Sequence, residues 1–187
     1  MNLYLEGYHI LMNEEIKSLK ELLEGDPENI NICINLAQLY YNNGDFENAI
    51  DTFKRALEIE SDNAILWQNL GYLYNEKGLY YEAIECLKKA LDFDPNLSTA
   101  WTELSYAYIE LANYDKTIDA CKQALSINEN DETAWTNLGS AYYNKNKYDE
   151  AIKAVKKALS IIPTLEFAQT VLALAKEAKN KNKKLQG

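Results

Sequence analysis

Residues 64–97 read AILWQNLGYLYNEKGLYYEAIECLKKALDFDPNL, and their pattern decides the fold. Trp67, Leu70, Gly71 and Tyr74 fall at helical intervals, so one face of an α-helix collects them. Gly78 stands where that helix must stop, because glycine takes the left-handed C-terminal conformation without a Cβ clash. A second apolar series, Ala83, Leu87 and Ala90, then begins, and Pro95 closes the stretch. The result is a helical hairpin. Gly71, small on the packed face, lets the second helix approach the first closely.

The same hairpin is written four times. Trp67, Trp101 and Trp135 are 34 residues apart, and Cys33 lies one period earlier. The units are 30–63, 64–97, 98–131 and 132–165. Their columns agree: Leu36, Leu70, Leu104 and Leu138; the small Ala37, Gly71, Ser105 and Gly139; Tyr40, Tyr74, Tyr108 and Tyr142. Ala49, Ala83, Thr117 and Ala151 are each followed by Ile, and Ala56, Ala90, Ala124 and Ala158 each by Leu. Gly44 and Gly78 end the first helices, with Asn146 as the accepted substitute. Ala112 is no such substitute, so strain or a reshaped turn is expected there. Asn63 and Asp131 read as N-caps. One hairpin cannot bury its apolar face alone, so stability must come from stacking on its neighbours.

With W-x2-L-G-x2-Y followed by spaced alanines and a proline, this period resembles the tetratricopeptide repeat, over 136 of the 187 residues. The resemblance implies an all-α, right-handed α-solenoid of stacked antiparallel helix pairs with a C-terminal capping helix. The whole is expected to form one structural domain.

The flanks are incomplete units. Residues 13–25 read as a lone second-type helix, with Ile16, Leu19, Leu22 and Leu23 one period before Ile50, Phe53, Ala56 and Leu57. Residues 1–29 are therefore an N-terminal segment with a truncated repeat helix; residues 1–12 match a first helix poorly. Residues 166–187 are expected to hold a capping helix and a Lys-rich tail. Ala168, Leu172, Ala173 and Ala175 would cover the last unit while the other face stays polar.

The resemblance implies that the first helices line a concave groove, which takes a peptide or helix from another protein. On this register the candidate groove residues are Asn35, Gln38, Tyr41, Gln68, Asn69, Tyr72, Asn75, Thr102, Glu103, Tyr106, Asn137, Ser140 and Tyr143. Asn35, Asn69 and Asn137 form an interrupted series that suits a peptide backbone, since each amide both donates and accepts; the alternative is plain solvation. Tyr41, Tyr72, Tyr106 and Tyr143 form either a contact surface or packing between adjacent first helices. Relatives that grip a chaperone's C-terminal carboxylate use Lys or Arg here. Those places hold Asn31, Ile34, Gln38, Asn69, Thr99 and Glu103, so no carboxylate clamp is expected, and the guest should be neutral, apolar or basic. Two other readings are self-assembly through residues 1–12, which would make a homo-oligomer, and an export-type chaperone for a hydrophobic substrate.

Composition narrows the field. Net charge is −10, which opposes nucleic-acid binding, although residues 176–187 carry five Lys against one acid. No stretch approaches the length of an apolar membrane span. Cys33, Cys86 and Cys121 are widely spaced and read as small buried hydrophobes in a cytoplasmic protein. The single histidine, His9, removes most triad and zinc schemes. No catalytic residue, metal site or cofactor is expected, so the chain reads as a scaffold rather than an enzyme.

Overall fold

A computed structural model describes the backbone of residues 2–186 and the side chains of residues 11–183. Ten helices and no strand occur among the described residues: α1 (Asn2–Gly25), α2 (Ile30–Asn42), α3 (Phe46–Ile59), α4 (Ala64–Glu76), α5 (Tyr80–Phe93), α6 (Ser98–Glu110), α7 (Tyr114–Ile127), α8 (Glu132–Asn144), α9 (Tyr148–Ile161) and α10 (Glu166–Gln186). First helices α2, α4, α6 and α8 have 13 residues each, and second helices α3, α5, α7 and α9 have 14. Each packs on the next in sequence, the stacking that the resemblance implies. Contacts that skip a helix join α4 to α6, α6 to α8 and α8 to α10. From α4 onward the first helices therefore lie against one another on one side of the stack.

Local chemistry sets the boundaries. Asn63 accepts from Ile65 N and Leu66 N, and Asp131 from Ala134 N, so both expected N-caps form. Asn29, Asp45 and Asn113 do the same for α2, α3 and α7. Each first helix ends in one turn. The left-handed residue bonds to the carbonyl three back, and the next N–H reaches five back, as in Gly78 N to Asn75 O and Leu79 N to Tyr74 O. Gly44 and Gly78 take φ of 77° and 72° there, and Asn146 takes 60°. Ala112 keeps the same turn at φ 54°, bonding to Ile109 O while Asn113 N reaches Tyr108 O. Of the two outcomes expected at Ala112, the turn is not reshaped. The cost is a left-handed residue carrying a Cβ, roughly 1 kcal/mol.

Packing within a hairpin depends on the small column. A Cβ on Gly71 would meet Leu87 Cγ at 2.6 Å, and one on Gly139 would collide with Val155. Packing between units is pinned by the tryptophans. Trp67 Nε1 donates to Ser61 O at 2.8 Å, Trp101 to Pro95 O at 3.0 Å and Trp135 to Glu129 O at 2.9 Å. Gln169, 34 residues after Trp135, donates to Pro163 O at 2.8 Å and fills the fifth place of that series. A second ladder joins consecutive turns through Lys77–Glu47, Lys145–Asp115 and Lys179–Asp149. Tyr81 and Leu111 occupy the rung between, where no ion pair can form.

The flanks differ from expectation in four respects. The lone helix expected over 13–25 is one helix from Asn2 to Gly25, without a turn back near residue 12. Ile16 and Leu23 are buried, but Leu22 is 54% exposed, where Ala56 of the next unit is fully buried. The place of Leu22 is normally covered by the first helix of its own unit, which α1 lacks. At the far end Ala168, Val171 and Ala175 are buried, but Ala173 faces solvent, a third of a turn or more from that stripe. The uncovered surface of α10 is not wholly polar: Phe167 is 58% exposed and Leu174 is 43% exposed.

Candidate peptide-binding groove

The candidate residues all lie on the first helices α2, α4, α6 and α8, but at different depths. Asn35 and Gln38 on α2 are exposed. Tyr41, Gln68, Asn69, Tyr72, Glu103, Tyr106 and Tyr143 are half-buried. Asn75, Thr102, Asn137 and Ser140 are buried. The inner wall thus has an open layer of amides and phenols over a buried polar floor.

The tyrosines reach both the groove and their neighbours. Tyr41 and Tyr72, from adjacent first helices, share a 2.7 Å hydroxyl hydrogen bond and meet edge to face at 5.6 Å between ring centres. Tyr41 also meets Phe46 at 5.7 Å, Tyr106 leans on Tyr80 at 6.1 Å and Tyr143 on Tyr148 at 5.9 Å, so three of the four rest on second helices. Such support fixes rotamers in advance, which lowers the entropy cost of holding a guest. Burial, then the hydrogen bond to Tyr41, pushes the Tyr72 phenol well up. The Tyr106 phenol is raised to about 12, first by burial and then by Glu110.

The asparagine series is uneven. Asn35 is open, Asn69 is half-buried, and Asn137 donates to Ser105 Oγ at 3.0 Å in a buried contact. Asn75 donates from one Nδ2 to Glu103 O at 3.1 Å and Glu103 Oε2 at 2.9 Å. Thr102 donates to Asp131 Oδ2 at 2.6 Å, and Thr99 to Gln68 Oε1 at 2.7 Å. Burial raises the Glu103 carboxyl above its ordinary range; the Asn75 bond opposes this, while Glu76 and Asp131 add to it.

Three residue sets escaped the sequence reading. Phe46, Tyr80 and Tyr148 open the second helices yet back the groove tyrosines. Leu174 continues the row of Gln38, Tyr72, Tyr106 and Ser140 onto α10, and Phe167 continues that of Ile65 and Thr99. Counting one further period would have found both. On the outer side, clefts of about 350–370 Å³ recur between second helices, where Lys89 lies over the Trp67 ring at 4.1 Å. The cysteines are buried and unpaired; burial raises Cys33, takes Cys86 to about 11 and Cys121 to about 12, so their thiolates are suppressed. His9 lies outside the residues with described side chains. Among the described residues no cluster could hold a metal ion, and no helix is long and apolar enough to cross a membrane.

Stacked helix pairs with an open inner wall define a helical-repeat solenoid. Tetratricopeptide-repeat family models match residues 16–70, 64–97, 98–131 and 133–165, and the chain belongs to that family. A crystal structure of the MamA protein is 30% identical, with 82% of this chain and 84% of that one covered and a TM-score of 0.75. The first repeat domain of Spaghetti (RPAP3), bound to the HSP90 peptide SRMEEVD, is 27% identical over 63% of this chain and 94% of that one, with a TM-score of 0.61. The crystal structure of YrrB, described as having an unusual peptide-binding site, is 23% identical over 88% of this chain and 85% of that one. Its TM-score of 0.73 is a likeness of fold. No curated protein sequence matches the chain.

Proposed function

We propose that this protein is an adaptor, not a catalyst, and that its inner face holds a segment of another protein, extended or helical. The observation that carries the reading is the open layer on that face: exposed Asn35 and Gln38, then half-buried tyrosines already braced by neighbouring rings. Tyrosines of this kind supply large contact area at small entropy cost, and amides satisfy a guest backbone in either direction. The peptide-bound RPAP3 domain supports the use of such a face. The guest here differs in kind. Asn31, Ile34, Gln38, Asn69, Thr99 and Glu103 offer no cation, so a terminal carboxylate finds no counter-charge. Phe167 and Leu174 extend the wall with apolar surface toward α10.

The test is recovery of partners from the native host with the wild-type chain and with Tyr72→Ala/Tyr106→Ala. Circular dichroism checks that the double variant stays helical. If the groove is the binding face, the variant loses the partner, with a cost of about 2 kcal/mol or more for a central anchor. Unchanged recovery by a folded variant would reject the reading.

A further inference from the structure

The middle of the inner wall is negative, and among the described residues Glu76, Glu103 and Glu110 form no ion pair. Glu76, Glu103 and Glu110 lie on α4 and α6 beside Tyr72 and Tyr106. Tyr41 Oη donates to Glu76 Oε2 at 3.4 Å, and Tyr80 Oη to Glu110 Oε2 at 3.3 Å. The groups that act by charge on Glu103, Tyr72 and Tyr106 are carboxylates and phenols only: Glu76, Asp131, Glu103, Glu110, Tyr41 and Tyr80. Several nearby cations are engaged elsewhere. Lys77 pairs with Glu47 at the turn edge, and Lys54 and Lys89 lie over the Tyr74 and Trp67 rings.

A separate observation falls at the same place. Asn75 is 2% exposed, and its amide lies against the Glu103 carboxylate through Nδ2. The Oδ1 of that amide has no donor. A buried acceptor left unpaired costs about 1–3 kcal/mol, and a half-buried carboxylate among like charges is costly as well. One cationic hydrogen-bond donor would relieve both.

We propose that the α4–α6 floor of the groove receives a Lys or Arg side chain from the partner's bound segment. The head group makes charge-assisted hydrogen bonds to Glu103 and Glu76 and supplies the donor that Asn75 Oδ1 lacks. Its aliphatic stem lies between the Tyr72 and Tyr106 rings. The inference rests on the inner face being the binding face and adds the chemistry of the guest.

Octa-lysine is the probe, titrated at about 50 mM NaCl so that screening is modest. Three chains are compared: wild type, Glu76→Gln/Glu103→Gln in the groove, and Glu82→Gln/Glu85→Gln on exposed positions of α5. The two variants change net charge equally, so they separate the pocket from overall attraction. Glutamine at 103 still accepts from Asn75 Nδ2, which preserves the fold. The groove variant should bind octa-lysine at least about tenfold more weakly, a loss of about 1.4 kcal/mol, and the α5 variant within about twofold of wild type. The Asn75 side-chain amide should shift in the nitrogen–proton spectrum of the wild type. Equal weakening in both variants, or an unmoved Asn75 amide, overturns the proposal. If that happens while Tyr72→Ala/Tyr106→Ala still loses the host partner, the groove reading stands and only its preference for a cation falls.

Discussion

The seam between α2 and α4 and the seam between α6 and α8 are built on the same register, yet one is open and the other closed. At the first, Asn69 and Tyr72 of α4 are only half-buried, and contact with α2 is made by the tips of Tyr41 and Tyr72. At the second, the corresponding places hold Asn137 and Ser140, both buried, and Asn137 bonds to Ser105 of α6. The cause is volume. Ser105, Ala107, Thr136 and Ser140 let α6 and α8 approach, so short polar groups must bond to each other, as Asn137 does to Ser105. At the first seam the Tyr41 and Tyr72 rings meet instead, and Asn69 stays half-buried. The inner wall thus passes from accessible amide chemistry near α2 to buried structural chemistry near α8.

The strongest challenge is to place the open seam's residue in the closed one. Ser140→Tyr inserts a ring where Tyr72 and Tyr106 stand in other units, but here without space. It should destabilise by about 3 kcal/mol and lower Tm by roughly 6–12 °C in a thermal melt. A melt unchanged from wild type would mean that the α6–α8 seam is as open as its counterpart.

A milder test compares one column in two units. Asn137→Ala removes the donor to buried Ser105 and should cost about 1–2 kcal/mol in a denaturant midpoint. Asn35→Ala, on the exposed side, should stay within about 0.5 kcal/mol. Equal effects would erase the distinction.

The smallest effect concerns Glu103, which lies between the two regimes. Its folded carboxyl ionises above the ordinary value of 4.5, so the folded chain keeps a proton that the unfolded chain has released. The stability it contributes is full below the unfolded value and is lost as pH rises through the raised folded value. Glu103→Gln should therefore melt higher than wild type at neutral pH, and the gap should close toward pH 4 (thermal melts across pH measure both). Parallel curves would show that Glu103 is not desolvated.

Much of this architecture was legible beforehand because it is local. The hairpins follow from spacing within each unit, and the caps at Asn63 and Asp131 need only their own first turn. Ala112 shows where local reasoning was incomplete. Its Cβ argues against a left-handed turn, but the hydrogen bonds to Ile109 and Tyr108 retain that turn. Leu22 shows a different limit. It matches the buried Ala56 column, yet burial needs a covering helix, and α1 has none to supply it.

The amino-acid order alone determined the period, the hairpins, the direction each face turns and the absence of cations at the clamp positions. These are properties of residues within one turn or one unit of each other. Tertiary structure decided which inner positions remain open, because depth depends on the summed volume of side chains that meet across a seam. Those partners lie about one repeat apart, as with Asn75 and Glu103 or Asn137 and Ser105. No single unit carries that information, so the polar floor and the unpaired Asn75 oxygen emerged only once the helices were stacked.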